Sequence, residues 1–118
     1  MQFGLKYNRK NFSIDADECS WLRKFSGLMF KRKEKAGALL FNFSYKTKIA
    51  IHSWFVFFPF LAIWIDDKNK IIDIKKIKPF SFNIRPKNSY KKLVEVPIND
   101  RYKDFILFLV EEQKHLKR

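Results

Sequence analysis

The chain has 118 residues, of which 47% are hydrophobic, and a formal net charge of +13 from 25 basic and 12 acidic residues. This composition excludes a disordered chain, and the length suffices for one domain, residues 1–118, whose core needs neither metal nor disulfides. The charge favours a polyanion or an anionic surface as a partner, although a solvated lysine-rich face is the simpler interpretation. One cysteine, Cys19, excludes an internal disulfide, and residues 1–15 lack a signal peptide's apolar stretch, so we expect a cytoplasmic protein.

The first quarter of the chain is predicted to form two strands and a short helix. Apolar and polar residues alternate loosely over residues 2–7 and 11–14, which is typical of strands joined by a turn. Asp15 or Asp17 is suited to cap a helix that runs over about residues 17–27, because a short carboxylate accepts hydrogen bonds from the first free N–H groups.

An uncharged run (IAIHSWFVFFPFLAIWI) occupies residues 49–65. It is shorter than the about 20 apolar residues that a membrane helix needs, and it contains Pro59. Proline lies at strand starts and bends because it cannot donate to a ladder. The run therefore predicts two buried strands of a soluble protein, residues 46–58 and 61–65, which follow a strand at residues 38–43.

Turn residues divide the next segment into two further strands. Asn69 is the residue best able to adopt a left-handed conformation, which predicts a tight turn before a strand at residues 71–77. Two prolines bound a loop at residues 79–86, and a strand at residues 90–96 is stopped by Pro97. Strands that follow one another without helices predict a mainly β fold, a small antiparallel β-barrel or sandwich.

The last segment predicts a C-terminal helix over about residues 100–114, with Asn99 as its cap. Apolar side chains recur with the helical period, and Leu107 and Phe108 widen the apolar stripe. A stripe of this width either covers the open side of the sheet or packs on a second copy of the chain in a homodimer. The periodic residues are Tyr102, Phe105, Ile106, Leu109 and Val110.

Three sequence blocks occur in order: GLMFK at residues 27–31, LLF at 39–41 and HSWFVFFP at 52–59. Together with LVEVP at residues 93–97, they resemble the uncharacterised family catalogued as domain of unknown function 192, over roughly residues 18–97. The HSWF letters are similar to the archaeal branch of that family. The resemblance implies a compact, mainly antiparallel β-barrel or sandwich with a short helix that carries the GLMF block, and it implies no established reaction.

Two positions depart from the family's pattern. Members usually have an aspartate where this chain has Leu61, and a glycine where it has Asn69. Asparagine tolerates the left-handed backbone that the turn requires, whereas Leu61 removes a carboxylate. We therefore do not expect any family activity that depends on that carboxylate.

The sequence contains no pattern that is specific for catalysis or for metal binding. Cys19, near Arg23 at the predicted helix start, and His52 could supply a nucleophile and a base, but no motif spacing links them, and His52 alone favours a structural role. No zinc-ligand spacing and no glycine-rich phosphate loop is present. Glu95 alternates with apolar neighbours, so it points away from their face and favours a structural role. We expect no metal, no cofactor and no enzymatic activity.

Two functional hypotheses remain. The first is a small β-rich binding or accessory module that holds a ligand in a cleft near Met29, Phe30 and His52. The second is a nucleic-acid or ribonucleoprotein binder in which exposed aromatic side chains such as Phe80 or Phe82 stack on bases. Charge favours the second hypothesis, but no RNA-binding signature accompanies it. Its phosphate contacts would come from Arg23, Lys24, Lys31, Arg32, Lys33, Lys46 and Lys48.

Overall fold

A computed structural model describes residues 1–19, 32–53 and 56–116. The described residues form six strands, a short 3-10 turn and a C-terminal helix. In chain order these are β1 (Gln2–Tyr7), β2 (Lys10–Glu18), β3 (Ala38–Thr47), β4 (Phe60–Ile65), β5 (Ile71–Ile77), β6 (Tyr90–Pro97), the turn Asp100–Tyr102 and α1 (Lys103–Leu116). The mainly β fold with a C-terminal helix is confirmed.

The six strands form one curled sheet in the order β1-β2-β3-β6-β4-β5. All pairs are antiparallel except β2 and β3, which run parallel with Ala16 opposite Ala38. The sheet is therefore mainly antiparallel, as predicted, and the β2–β3 pair is the exception, because these strands are too far apart in the sequence to be joined by a hairpin. The Lys6 N–H donates to the Asn69 carbonyl at 2.8 Å, so the curl brings β1 against the turn before β5 and produces a half-barrel.

One face of the sheet packs against α1. Tyr102, Phe105 and Leu109 of the turn and helix are buried there, so the helix covers the sheet as one of the two predicted alternatives requires. We call this layer the helix-side core. Its strand members are Phe3, Leu5, Ile14, Ala16, Ala38, Leu40, Leu61, Ile63, Ile65, Val94 and Val96.

The opposite face is covered by loops, and we call this layer the loop-side core. Val56 and Phe58 of the segment before β4 close over Trp64, Tyr90 and other strand residues. All six residues of β4 are buried, because this strand has a covered face on both sides. Because both faces of β4 are covered, its sequence is apolar at every position instead of alternating with polar residues. The other members of this core are Cys19, Ala36, Leu39, Phe41, Phe60, Ala62, Ile77 and Leu93.

The predicted strand at residues 46–58 is wrong. β3 ends at Thr47, and among the described residues that follow, Ile51 forms an isolated bridge with Ile84. The backbones of Ile51 and Ser53 thus bond to the loop after β5 instead of to a neighbouring strand. The prediction that Pro59 lies at a strand start is confirmed, since β4 begins at Phe60.

The predicted helix over residues 17–27 is wrong at its start. Asp15 and Asp17 lie within β2, where Ile14 and Ala16 point into the core and the aspartates point to solvent. Asp15 accepts hydrogen bonds from the N-terminal amine and from Arg101, both at 2.9 Å, and these cations hold the pKa of Asp15 below its ordinary value. Residues 20–27 of that prediction lie outside the described residues.

Asn99 does not cap the C-terminal helix as predicted. Its side-chain amide donates to the carbonyls of Lys33 at 2.8 Å and Ala36 at 3.1 Å, and no side-chain bond reaches the helix N–H groups. Asn99 therefore ties the helix start to the segment that precedes β3. The helix itself is confirmed, but Leu107 and Phe108 do not extend its buried stripe, because both are exposed.

A buried carboxylate fastens the far end of α1 to the first hairpin. Glu112 is buried, and it accepts hydrogen bonds from the Asn8 amide at 3.1 Å and from the Lys10 ammonium. A buried charge is tolerated when such partners satisfy it. The helix is therefore held by polar contacts at both of its ends as well as by its apolar face.

We expect Arg9→Gly to stabilise the protein. Asn8 and Arg9 form the two-residue turn between β1 and β2 with φ of 51° and 65°, and this turn type favours Asn-Gly. Glycine removes a left-handed penalty of roughly 1–2 kcal/mol and adds about 0.5–1 kcal/mol of chain entropy cost, so the expected gain is about 0.5–1 kcal/mol. Urea unfolding measures it. Asn11→Gly, within β2, is the control and should destabilise; a destabilised Arg9→Gly variant would contradict the turn assignment.

We expect Glu112→Gln to destabilise the protein by about 1–3 kcal/mol, because it weakens charge-assisted hydrogen bonds to Asn8 and Lys10 at a buried position. Urea unfolding of both proteins at neutral pH gives the difference in free energy. Glu18→Gln removes an exposed carboxylate and is the control, with an expected change within about 0.5 kcal/mol. Equal effects of the two substitutions would show that Glu112 does not fasten α1.

Candidate nucleic-acid interface

Two loops cross each other at one end of the sheet. Residues 48–59 precede β4, and residues 78–89 follow β5. Ile51 and Ile84 exchange both backbone hydrogen bonds, at 2.9 and 3.0 Å, so the two loops run antiparallel where they meet. We call the described residues of these segments, 48–53, 56–59 and 78–89, the crossed loops.

Ser53 is the residue that fixes the crossed loops to each other. It is completely buried, and its hydroxyl donates to the Lys78 carbonyl at 2.6 Å and accepts from the Ser81 N–H at 2.7 Å. Its own N–H donates to the Ser81 carbonyl at 2.7 Å, and its carbonyl accepts from the Phe80 N–H at 2.9 Å. Four hydrogen bonds from one small residue therefore set the position of Phe80.

Three aromatic side chains project from the crossed loops into solvent, and we call them the aromatic edge. Phe57, Phe80 and Phe82 are 59%, 51% and 65% exposed. The rings of Phe57 and Phe80 contact edge to face at 5.5 Å. Phe80 has φ of 60°, a left-handed conformation that costs a non-glycine residue roughly 1–2 kcal/mol. A bulky apolar residue is thus half-exposed to water and held in a strained backbone conformation.

The aromatic edge lies in a part of the sequence that holds cations and no carboxylates. No aspartate or glutamate occurs in residues 35–65 or 74–94. Lys48 and Lys78, which belong to the crossed loops, are exposed. Arg85 links the loops, since its guanidinium donates to the Lys48 carbonyl at 3.0 Å and to the Asn83 side chain at 3.2 Å. The cations of the second segment are Lys75, Lys76, Lys78, Arg85, Lys87, Lys91 and Lys92.

Tyr90, at the start of β6, contacts the crossed loops from the sheet. Its hydroxyl donates to the Ile49 carbonyl at 2.8 Å, and its ring packs edge to face on Phe43 and Trp64. Burial, with a smaller contribution from the negative charge of Glu95, raises the pKa of Tyr90 to about 12. The neutral phenol is therefore the form that this site accepts.

The structure separates the predicted cations into two groups. Lys46 and Lys48 are exposed at the end of β3, on the side of the crossed loops, and the Lys48 carbonyl accepts the hydrogen bond from Arg85. Arg32 and Lys33 are exposed before the start of β3, a ten-residue strand that spans roughly 30 Å. These four residues therefore lie at opposite ends of β3. Arg23, Lys24 and Lys31 lie outside the described residues.

The predicted ligand cleft has one described member. His52 is exposed beside Ser53 on the crossed loops, whereas Met29 and Phe30 lie outside the described residues. Of the predicted aromatic residues, Phe80 and Phe82 both lie on the aromatic edge. Sequence reasoning did not predict the role of Ser53 or the contact of Phe57 with Phe80, and the only local signal was the pair of prolines that bounds the second loop.

Cys19 follows β2 directly and is buried. Its N–H donates to the Leu40 carbonyl at 2.9 Å, which continues the pairing of β2 with β3, and its side chain lies in the loop-side core. In the described part of the chain, no three His, Cys, Asp or Glu side chains could hold a metal ion together.

Glu95 and Leu61 lie on opposite faces of the sheet. Val94 and Val96 point into the helix-side core, so Glu95 points away from them as predicted, but it is buried because loops cover that face as well. It sits between Leu39 and Ala62 on the neighbouring strands. Leu61 packs in the helix-side core, where a carboxylate would need a buried partner.

These features define a small basic half-barrel protein with an exposed aromatic surface and no described helix that has the length and apolar character to cross a membrane. The model of the DUF192 family, described as Uncharacterized ACR, matches residues 11–101. The chain belongs to this family, and the resemblance in its sequence blocks is confirmed.

Similar proteins share the family or the fold. A UPF0127 protein of Thermococcus sibiricus is 27% identical over 103 residues, which cover 80% of this chain and 66% of that protein, just under two thirds of its length. A protein of unknown function from Novosphingobium aromaticivorans has a TM-score of 0.70 at 11% identity, covering 81% of this chain and 71% of that one. A Sinorhizobium meliloti protein, provisionally assigned as a transcription regulator, has a TM-score of 0.69 at 15% identity, covering 86% and 81%. At these identities the structural likeness shows the fold alone.

We expect the stability of the protein to fall as pH rises from about 10 to about 12. The folded state keeps the proton of Tyr90 to about pH 12, whereas the unfolded chain releases it near its ordinary pKa of 10, so alkali favours unfolding in this window. Ultraviolet difference titration should show a tyrosinate transition near pH 12 that Tyr90→Phe removes. Burial and the charge of Glu112 also raise the pKa of Tyr7, so Tyr7→Phe, like Tyr45→Phe, is a control that should leave the transition near pH 12 in place. A transition near pH 12 that persists in Tyr90→Phe would rule out this assignment.

Proposed function

We propose that the protein is a binding module that holds single-stranded nucleic acid on the aromatic edge. The observation that carries this proposal is Phe80, an exposed aromatic residue kept in a left-handed conformation by the hydrogen bonds of Ser53. Strained backbone persists where surrounding contacts enforce it, and such positions cluster at functional sites. Phe80 packs edge to face on Phe57, but it is still 51% exposed in a backbone conformation that glycine adopts at lower cost, so we infer that a ligand uses its exposed ring.

Both chemical components of a single-strand site occur together on the crossed loops. Exposed aromatic rings stack on unpaired bases without regard to sequence, and cations attract the phosphates between those bases. Phe57, Phe80 and Phe82 supply the rings, and Lys48, Lys78 and Arg85 lie on the same loops with no carboxylate in either sequence segment. A duplex would offer only its phosphates to such a surface, because its bases are stacked on each other.

The proposal combines parts of the two hypotheses from the sequence. It keeps a β-rich binding module without catalysis, and it replaces the small-ligand cleft with a nucleic-acid surface. His52 is exposed next to Ser53 and adds a further ring to this surface. Since the chain spans 66% of the length of its Thermococcus relative, the proposal concerns the described domain and not the activity of that whole protein.

We expect labelled single-stranded RNA and DNA oligonucleotides to bind more tightly than a duplex of equal length in fluorescence anisotropy titrations. Phe80→Gly and Phe82→Ala should each lower the affinity for the single strand by about 5- to 150-fold, which corresponds to a stacking loss of about 1–3 kcal/mol. Phe80→Gly should stay folded with a stability near that of the wild type, because the relief of strain at φ of 60° offsets the lost contact with Phe57. Phe82→Trp is the conservative variant and should retain binding.

Titrations from about 50 to about 300 mM salt test the phosphate contacts. The double variant Lys48→Gln with Lys78→Gln should reduce the slope of log affinity against log salt by about 1.4, since each contact to a single strand contributes about 0.7. Lys68→Gln with Lys70→Gln is the matched control: it removes the same charge from the turn at the other end of the β4–β5 hairpin. Equal effects of the two doubles, or full affinity in Phe80→Gly, would refute the proposal.

A further inference from the structure

Tyr45 lies where β3 bulges away from its neighbour β6. The register of the two strands shifts between residues 42 and 47 of β3, so residues 43–46 stand opposite Lys91 alone, and we call them the β3 bulge. Tyr45 is 81% exposed there, more than any other large hydrophobic side chain in the described part of the chain. Bulges re-aim side chains and are frequent next to functional sites. The β3 bulge thus presents an aromatic ring to solvent where regular pairing is interrupted.

Both ends of the β3 bulge are held by β6. The Lys91 ammonium donates a hydrogen bond to the Phe43 carbonyl, at the start of the bulge. Beyond its end, the Tyr90 hydroxyl donates to the Ile49 carbonyl at 2.8 Å. The backbone on either side of Tyr45 is therefore fixed to the sheet, so the position of this exposed residue is defined by contacts that its own ring does not make.

The β3 bulge is connected to the aromatic edge through Lys48 and Arg85. Tyr45 precedes Lys48 by three residues, and Phe82 precedes Arg85 by three residues. Three residues of chain span at most about 11 Å. The Arg85 guanidinium donates to the Lys48 carbonyl at 3.0 Å and joins the two segments. A path from Phe82 to Tyr45 over these contacts therefore passes two cations.

The cations along this path bond to neutral oxygens. Arg85 donates to a backbone carbonyl and to an asparagine side chain, and Lys91 does the same, so these bonds leave both positive charges uncompensated. Lys46 and Lys48 are exposed at the end of the bulge, and no aspartate or glutamate occurs in residues 35–65. Cations between exposed rings have the composition of a single-strand groove, in which phosphates contact the cations and bases stack on the rings.

We propose that Tyr45 is a second stacking position for single-stranded nucleic acid, at the far end of a path that starts at the aromatic edge. The second position rests on the proposed function and deepens it, because it names an extended strand, and not an isolated nucleotide, as the ligand. Bases of one strand stack on Phe82 and on Tyr45, and the phosphates between them contact Arg85 and Lys48. A short strand occupies the aromatic edge alone, whereas a longer strand gains affinity from the second contact.

Fluorescence anisotropy with labelled strands of two lengths tests the second position. The strands are a trinucleotide and an oligonucleotide of about 16 nucleotides, the upper end of single-strand site sizes. Tyr45→Ala should lower the affinity for the long strand by about 5- to 150-fold and leave the affinity for the trinucleotide unchanged. Tyr45→Phe keeps the ring and should bind both strands as the wild type does. Phe108→Ala is the matched control and should change neither affinity, because it removes an exposed ring from α1, on the opposite face of the sheet.

Tyr45→Trp gives a direct signal of stacking that a purely structural role of residue 45 would not produce. The variant and the wild type share the chain's three tryptophans, so the difference between their fluorescence reports the ring at position 45. Saturation with the long strand should quench this difference signal, because a base stacks on the new ring. Saturation with the trinucleotide should leave it unchanged, because the short strand stays on the aromatic edge.

The outcomes separate the second position from the proposed function. A wild type that binds neither strand refutes the proposed function, and the second position falls with it. Single-strand binding that Phe80→Gly weakens, but that Tyr45→Ala keeps at full affinity for the long strand, supports the aromatic edge and overturns the second position. Equal losses in Tyr45→Ala for the two lengths would also overturn it, since Tyr45 would then act on the aromatic edge or on the fold.

Discussion

The burial of β4 and β6 on both faces is the constraint on which the rest of the structure depends. These two strands pair with each other in the middle of the sheet, and their side chains alternate between two apolar layers. A sheet of this kind is stable only when both layers are covered. The helix α1 covers one layer, and the loops on either side of the β4–β5 hairpin cover the other. The exposed aromatic and apolar side chains of the protein's two covers therefore lie on the helix and on the loops, and not on the sheet itself.

The two covers are held in different ways, and this difference explains where exposed apolar residues occur. α1 is fixed by its own apolar face, by Asn99 at its start and by Glu112 near its end, so its outer face is free to carry Leu107 and Phe108. The crossed loops have no regular ladder and are held by the small buried side chain of Ser53. Because the hydrogen bonds of Ser53 fix the loops from the protein interior, Phe57, Phe80 and Phe82 remain exposed. The same hydrogen bonds enforce the left-handed conformation of Phe80.

Elements marked by local signals could be predicted from the sequence. Asn69 takes the left-handed conformation that its turn needs, with φ of 64°, and β6 ends at Pro97. The predicted helix start at Asp15 or Asp17 and the predicted strand at residues 46–58 were wrong, because distant partners outweigh both local patterns: β2 pairs with β3, and Ser53 bonds to the loop after β5. Phe80 and Phe82 could be named from their loop, whereas Ser53 could not, since its four bonds are made across at least 25 residues of sequence.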